Sequence, residues 1–95
     1  MDKAAGLLLF GATGDLARRM LLPSLYGLDA DGLLPEGLRI IATARTETDD
    51  AGYRQRAAQA LDEHLPEGFL DEAVAARFLK RLHYVAVDAG RIEDF

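Results

Sequence analysis

A short apolar run that stops at a glycine turn constrains this chain more than any other feature. Leu7-Leu8-Leu9-Phe10 leads directly into Gly11-Ala12-Thr13-Gly14. A continuous apolar run of this length suits a parallel strand covered on both faces. A buried helix would need more residues than the two glycines leave it. From Asp15 the period changes. Leu16, Met20, Leu21, Leu25 and Leu28 recur at helical spacing and define the expected core face of a first helix. Pro23 lies inside that stretch, removes an amide donor and crowds the turn before it, so a kink or a split is predicted there. Strand, glycine turn and helix in that order restrict the chain to α/β architectures.

The rest of the sequence repeats the alternation. Asp29 to Gly37 reads as a loop, with Asp31-Gly32, Pro35 and Gly37. A second strand is expected over Leu38 to Ala44. Thr46 and Thr48 offer hydroxyl caps to the next helix, and Asp49 and Asp50 favour its positive end. Ala57, Leu61 and Leu65 give that helix one face, and Pro66-Glu67-Gly68 ends it. A third helix is predicted from about Leu70, with Leu70, Val74, Phe78 and Leu82 on its stripe. Arg77, Lys80 and Arg81 fall off the stripe and are expected in solvent. Tyr84, Val85, Ala86 and Val87 form the third strand, and Gly90 to Phe95 begin a further connection.

Strands separated by helices imply parallel pairing through right-handed crossovers. The fold expected is therefore a partial Rossmann sheet, one βαβαβ half of a doubly wound domain, with local strand order 3-2-1. The 95 residues support one small core and are few for both halves of such a domain. Residues 1–95 thus read as the N-terminal portion of a dinucleotide-binding domain, with any substrate or catalytic domain elsewhere. The strand at Leu7 to Phe10 would keep an unpaired side, which predicts marginal stability or self-association, and a homo-oligomer is expected.

The net charge of −5 argues against nucleic acid as the main partner, since that binding depends on neutralising phosphates with Lys and Arg. It leaves room for one small phosphate ligand in a local positive field. Without cysteine there is no disulfide framework or thiolate metal site, and no metal is expected. The early apolar run is too short to cross a bilayer, and Met1-Asp2-Lys3 introduces no signal segment. A cytoplasmic location, away from membranes, is the expectation.

The turn Gly11-Ala12-Thr13-Gly14-Asp15-Leu16-Ala17 carries the candidate chemistry. Gly11 permits a sharp turn, Gly14 lets backbone approach a ligand, and the small Ala17 lets the helix pack near the strand. The helix start beyond presents unpaired amides and the positive end of its dipole, a place for a pyrophosphate. Thr13 adds a hydroxyl, and Asp15 is expected to fold back onto loop amides. The spacing is G-x-x-G-x-x-A, not the strict G-x-G-x-x-G, so a tight turn with no ligand is the alternative. The second strand ends Ala44-Arg45-Thr46 with no acid at its end. An Arg there can fork onto a ribose 2′-phosphate, with Thr46 as a further donor, which favours NADP over NAD. A solvated loop Arg is the competing reading. At the end of the third strand, Asp88 could accept from an adenine amino group and the Ala89 amide could donate to a ring nitrogen; a plain turn Asp is the alternative.

The run Leu9 to Arg19, followed by Leu21-Leu22-Pro23-Ser24-Leu25-Tyr26 and Leu33-Leu34-Pro35, resembles the start of the glucose-6-phosphate dehydrogenase family. Ala44-Arg45-Thr46 matches the family's Arg-bearing strand end. The resemblance implies an enzyme that oxidises glucose 6-phosphate at C1 and passes hydride to NADP⁺, forming the lactone and NADPH for the pentose phosphate pathway. It places Gly11, Ala12, Thr13, Gly14, Asp15, Leu16 and Ala17 on the pyrophosphate, Arg45 and Thr46 on the 2′-phosphate, and Asp88 and Ala89 near the adenine. One departure is Met20, where the family commonly has a basic residue, so one phosphate contact is expected to be missing. The family's R-I-D-H-Y-L-G-K motif and catalytic His base do not occur in these residues. His64 and His83 lack a carboxylate partner at a spacing that suggests a general base. No catalytic residue is therefore expected here, and glucose 6-phosphate is a ligand only of the full-length enzyme. Two other readings compete: a non-catalytic nucleotide-binding module, and an NADP-dependent reductase of the short-chain type with its Tyr-x-x-x-Lys pair beyond this chain. The Leu-Leu-Pro pairs flanking the first helix favour the sugar-phosphate enzyme.

Overall fold

Three parallel strands, β1 (Gly6–Phe10), β2 (Arg39–Ala44) and β3 (Leu82–Ala86), form a sheet in the order β1-β2-β3. The structure is a computed structural model and describes residues 6–87. The predicted Asp88 and Ala89 positions, and the connection from Gly90, lie outside that range. The strand order and the α/β class agree with the sequence reading. Side chains alternate across the pleat, and Leu9, Ala42 and Tyr84 sit in register on one face. That face is buried, whereas Phe10 and Val85, one residue on, are 73% and 50% exposed. Two crossovers of the same hand, both stepping in one direction along the sheet, put their helices on one side of it. Among the described residues, only that face is covered.

The first helical stretch departs from expectation in an informative way. Helical backbone begins at Asp15, passes through a π-helical turn over Ala17–Leu21, and continues as α1 (Leu22–Ala30). Leu22 N–H bonds Ala17 O, one residue further back than in an α-helix. Pro23 then occupies the first turn of α1, where its missing donor is not needed. The wider turn relieves the crowding a proline imposes on the carbonyl four residues earlier. The extra residue also rotates the core face. Ala17, Leu22, Tyr26 and Asp29 are the buried positions, with Leu21 and Leu25 packed at their flank. Leu16, Met20 and Leu28, expected in the core, are exposed.

Helix α2 (Asp50–His64) buries Tyr53, Ala57, Ala60 and Leu61, the face foreseen from Ala57 and Leu61. Its N-cap is Asp49, which accepts from Gly52 N–H at 2.8 Å; neither candidate threonine fills that place. A β-region Asp at this position satisfies an orphan helix amide with a charged acceptor. Helix α3 (Glu72–Lys80) starts two residues later than expected and is capped by Asp71. Leu82, assigned above to the α3 stripe, is the first residue of β3 and fully buried.

Arg81 overturns its assignment to solvent. It is 7% exposed and pairs with Asp29, itself 1% exposed, through Nε–Oδ2 at 3.1 Å and Nη2–Oδ1 at 3.2 Å. Its Nη1 donates to the carbonyls of Pro35, Glu36 and Leu38. A guanidinium can be buried when each of its donors finds an acceptor and a carboxylate balances its charge. Arg77, at the rim, also reaches Asp29. Asp29, assigned to the loop, is instead a buried residue of the last turn of α1.

Candidate functional site

A cleft of about 460 Å³ opens at the carboxyl ends of the strands, where open parallel sheets receive ligands. Phe10, Gly11, Thr13 and Gly14 line one wall, Thr43, Ala44, Arg45 and Thr46 the other, and Val87 also contributes. Five of the sequence-predicted residues, Gly11, Thr13, Gly14, Arg45 and Thr46, are thus brought to one place.

The backbone explains why glycine occupies two of these positions. Gly11 has φ +62°, the left-handed region that L-side chains rarely adopt. A Cβ on Gly14 would sit 3.2 Å from the Gly11 carbonyl oxygen. Gly14 N–H closes the turn onto Gly11 O at 2.9 Å, and Arg18 N–H makes the first helical link back to Gly14 O at 3.1 Å. The amides of Asp15, Leu16 and Ala17 precede that link, so they are the helix's orphan donors. A bare, tightly wound turn ahead of orphan amides fits a pyrophosphate.

Ala12 lies beneath this turn and not in the cleft. It is buried, and its N–H donates to Thr43 O at 3.0 Å, tying the turn to β2. Ala17 is buried as well, consistent with close helix–strand packing. Leu16 does not line the cleft and its side chain is exposed. Asp15 does not fold back onto loop amides as expected; it accepts from Arg19 Nε at 2.7 Å. The helical backbone brings residues four apart together, and the arginine outcompetes the loop. Arg18 is likewise engaged, donating to Glu63 at 3.0 Å.

Across the cleft, the Thr13 and Thr46 hydroxyls meet at 2.9 Å. Each hydroxyl has one proton and two lone pairs, so the pair retains one donor for a ligand. Arg45 is exposed at this rim. No acidic side chain lines the cleft among the described residues. Below it lie two residues the sequence reading did not single out. Tyr53 donates from its hydroxyl to Ala12 O at 3.0 Å, and Tyr84 reaches the carbonyls of Ala44 and Thr46. Burial, reinforced by the neighbouring Tyr84, pushes the Tyr53 phenol up to about 12, and burial raises Tyr84 too. Both therefore remain neutral donors at ordinary pH. Tyr53 could have been found from its interval of four to Ala57 and Leu61.

The histidines have carboxylate neighbours after all. His83 Nδ1 lies 3.5 Å from Asp50 Oδ2, and His64 Nε2 lies 3.6 Å from Glu63 Oε1. The first pairing spans the fold and could not be read from spacing. Neither histidine lines the cleft. No helix among the described residues is long and apolar enough to cross a membrane.

The family described as "Glucose-6-phosphate dehydrogenase, NAD binding domain" matches residues 8–95. The chain is 54% identical over 82 residues to a glucose-6-phosphate 1-dehydrogenase of Zymomonas mobilis, covering 86% of this chain and 17% of that protein. It is 47% identical over 87 residues to the enzyme of the same name from Mycolicibacterium smegmatis, covering 92% of this chain and 18% of the relative. The crystal structure of glucose-6-phosphate 1-dehydrogenase from Mycobacterium avium superposes with a TM-score of 0.80 at 32% identity, over 92% of this chain and 18% of that one. A glucose-6-phosphate dehydrogenase in complex with glucose 6-phosphate gives a TM-score of 0.77 at 31% identity, over 97% of this chain and 19% of that one. The chain therefore spans less than a fifth of the relatives it matches.

Proposed function

The chain belongs to the glucose-6-phosphate dehydrogenase family, and from that premise we propose that its cleft is the NADP⁺ cradle of an enzyme oxidising glucose 6-phosphate at C1. When bound there, the nicotinamide dinucleotide would supply the hydride acceptor. The described residues do the holding. The turn Gly11 to Ala17 receives the pyrophosphate on backbone amides, with Thr13 as a hydroxyl donor. Arg45 and Thr46 receive the 2′-phosphate. Asp88 and Ala89 carry the adenine proposal, outside the described residues.

The observation that carries the reading is Arg45, exposed beside Thr46 on a cleft wall without an acid among its described lining residues. An acid at that place would instead suit a free ribose 2′-hydroxyl. Titration of the protein with NADP⁺ and NAD⁺ tests it. Arg45→Ala is expected to weaken NADP⁺ by more than about tenfold, about 1.4 kcal/mol, and to leave NAD⁺ nearly unchanged. Equal loss for both nucleotides would sink the 2′-phosphate assignment.

A further inference from the structure

We infer that Tyr53 and Tyr84 are positioning residues that set the two walls of the cleft separately, Tyr53 for the pyrophosphate turn and Tyr84 for the 2′-phosphate loop. This rests on the reading of the cleft as an NADP⁺ site. Tyr53 is on the first turn of α2 and Tyr84 is in β3, so they come from different elements. Their rings stack with centroids 5.2 Å apart and planes 18° from parallel. Phenylalanine would fill the same space. What the hydroxyls add is three directed contacts on backbone carbonyls: Ala12 in the turn, Ala44 at the end of β2, and Thr46 just beyond it.

The Tyr53 proton goes to Ala12 O, between the two glycines of the turn. The Tyr84 hydroxyl lies 3.1 Å from Ala44 O and closer still to Thr46 O, and its one proton is shared between them. Ala44 O has a second donor in Val87 N–H at 2.9 Å. Among the described residues Thr46 O accepts from Tyr84 alone, and it brackets Arg45 with Ala44. Losing the Tyr84 proton therefore frees the residue beside the cation, while the turn keeps its tether to Tyr53. The stacked rings give both tethers a common footing.

The two hydroxyls consequently have different ligand signatures. The test measures the dissociation constants of NADP⁺ and NAD⁺ for Tyr84→Phe, Tyr53→Phe and Arg45→Ala in the full-length protein carrying this chain, with thermal melting alongside. Tyr84→Phe is expected to weaken NADP⁺ by about fivefold and NAD⁺ by less than about twofold, since NAD⁺ has no 2′-phosphate to place. Tyr53→Phe is expected to weaken both by a similar factor. A general loss of packing would instead lower both affinities together with the melting temperature in each variant. If Arg45→Ala shifts the NADP⁺ to NAD⁺ ratio and Tyr84→Phe does not, the positioning role is wrong while the cofactor site stands. If Arg45→Ala leaves the ratio unchanged, the 2′-phosphate reading fails and the inference goes with it. Should Tyr84→Phe not fold, 3-fluorotyrosine at position 84 keeps the shape and strengthens the donor. It is expected to tighten NADP⁺ relative to NAD⁺, lowering the ratio of their dissociation constants, and an unchanged ratio overturns the proposal.

Discussion

Two buried side chains gather backbone carbonyls at opposite ends of the same sheet. At the amino end of β3, Arg81 collects Pro35, Glu36 and Leu38 and is neutralised by Asp29. At the carboxyl end of the sheet, Tyr84 holds Ala44 and Thr46 with one neutral proton. The arginine supplies several charged donors and needs a buried counter-ion, so its loop is fixed whether or not a ligand is present. The phenol holds its loop lightly and leaves the charge to Arg45, which remains exposed. Buried charge is neutralised at the amino end of the sheet, and the cleft end keeps its cation exposed.

The comparison breaks most visibly at Arg81. Arg81→Ala strands the Asp29 carboxylate in the interior, leaves three carbonyls without this donor, and is expected to cost about 3–5 kcal/mol of stability in chemical denaturation. An effect under about 1 kcal/mol would mean that Arg77, which also reaches Asp29, carries the pairing. A smaller loss is expected at the cleft. Gly11→Ala forces a Cβ into a left-handed conformation and should cost about 1–2 kcal/mol. It should also weaken both dinucleotides, which calorimetry on the same variant would check.

The smallest effect concerns the outer edge of β3. Asp50 accepts from Tyr84 N–H at 2.7 Å, and chiefly for that reason its pKa lies below the ordinary carboxylate value, with His83 adding to the shift. A depressed folded pKa contributes stability that is present above the unfolded value and lost as pH falls through the folded one. Acid unfolding of Asp50→Asn should therefore show a slightly flatter pH dependence below the carboxylate range. An identical profile would show that the contact adds nothing measurable at this half-exposed site.

The sequence made some of these features legible and hid others for a consistent reason. The strand at Leu7, the glycine turn and the Arg45-Thr46 strand end are local patterns, and local patterns survive in a linear reading. Their meeting at one cleft followed from parallel topology. The burial of Arg81 is not legible in the sequence because its partner stands 52 residues away, and a helix period says only which residues miss the stripe. The strand pattern places Tyr84 but not its hydroxyl's destination, 38 and 40 residues earlier in the chain. Leu16, Met20 and Leu28 fall outside the core because the α-helical period does not run through the π turn.

That turn makes chain length in this segment a rotational setting. Each residue of an α-helix advances about 100° around the axis. Wound as plain α-helix with the same residues, this segment would swing everything upstream by about that angle relative to α1, because five residues instead of four separate the buried Ala17 and Leu22. The orphan amides at Asp15 to Ala17 would then be turned relative to α1 while every strand kept its sequence. Insertions and deletions here therefore act on the aim of the helix start, although the segment contributes only Ala17 to the buried core.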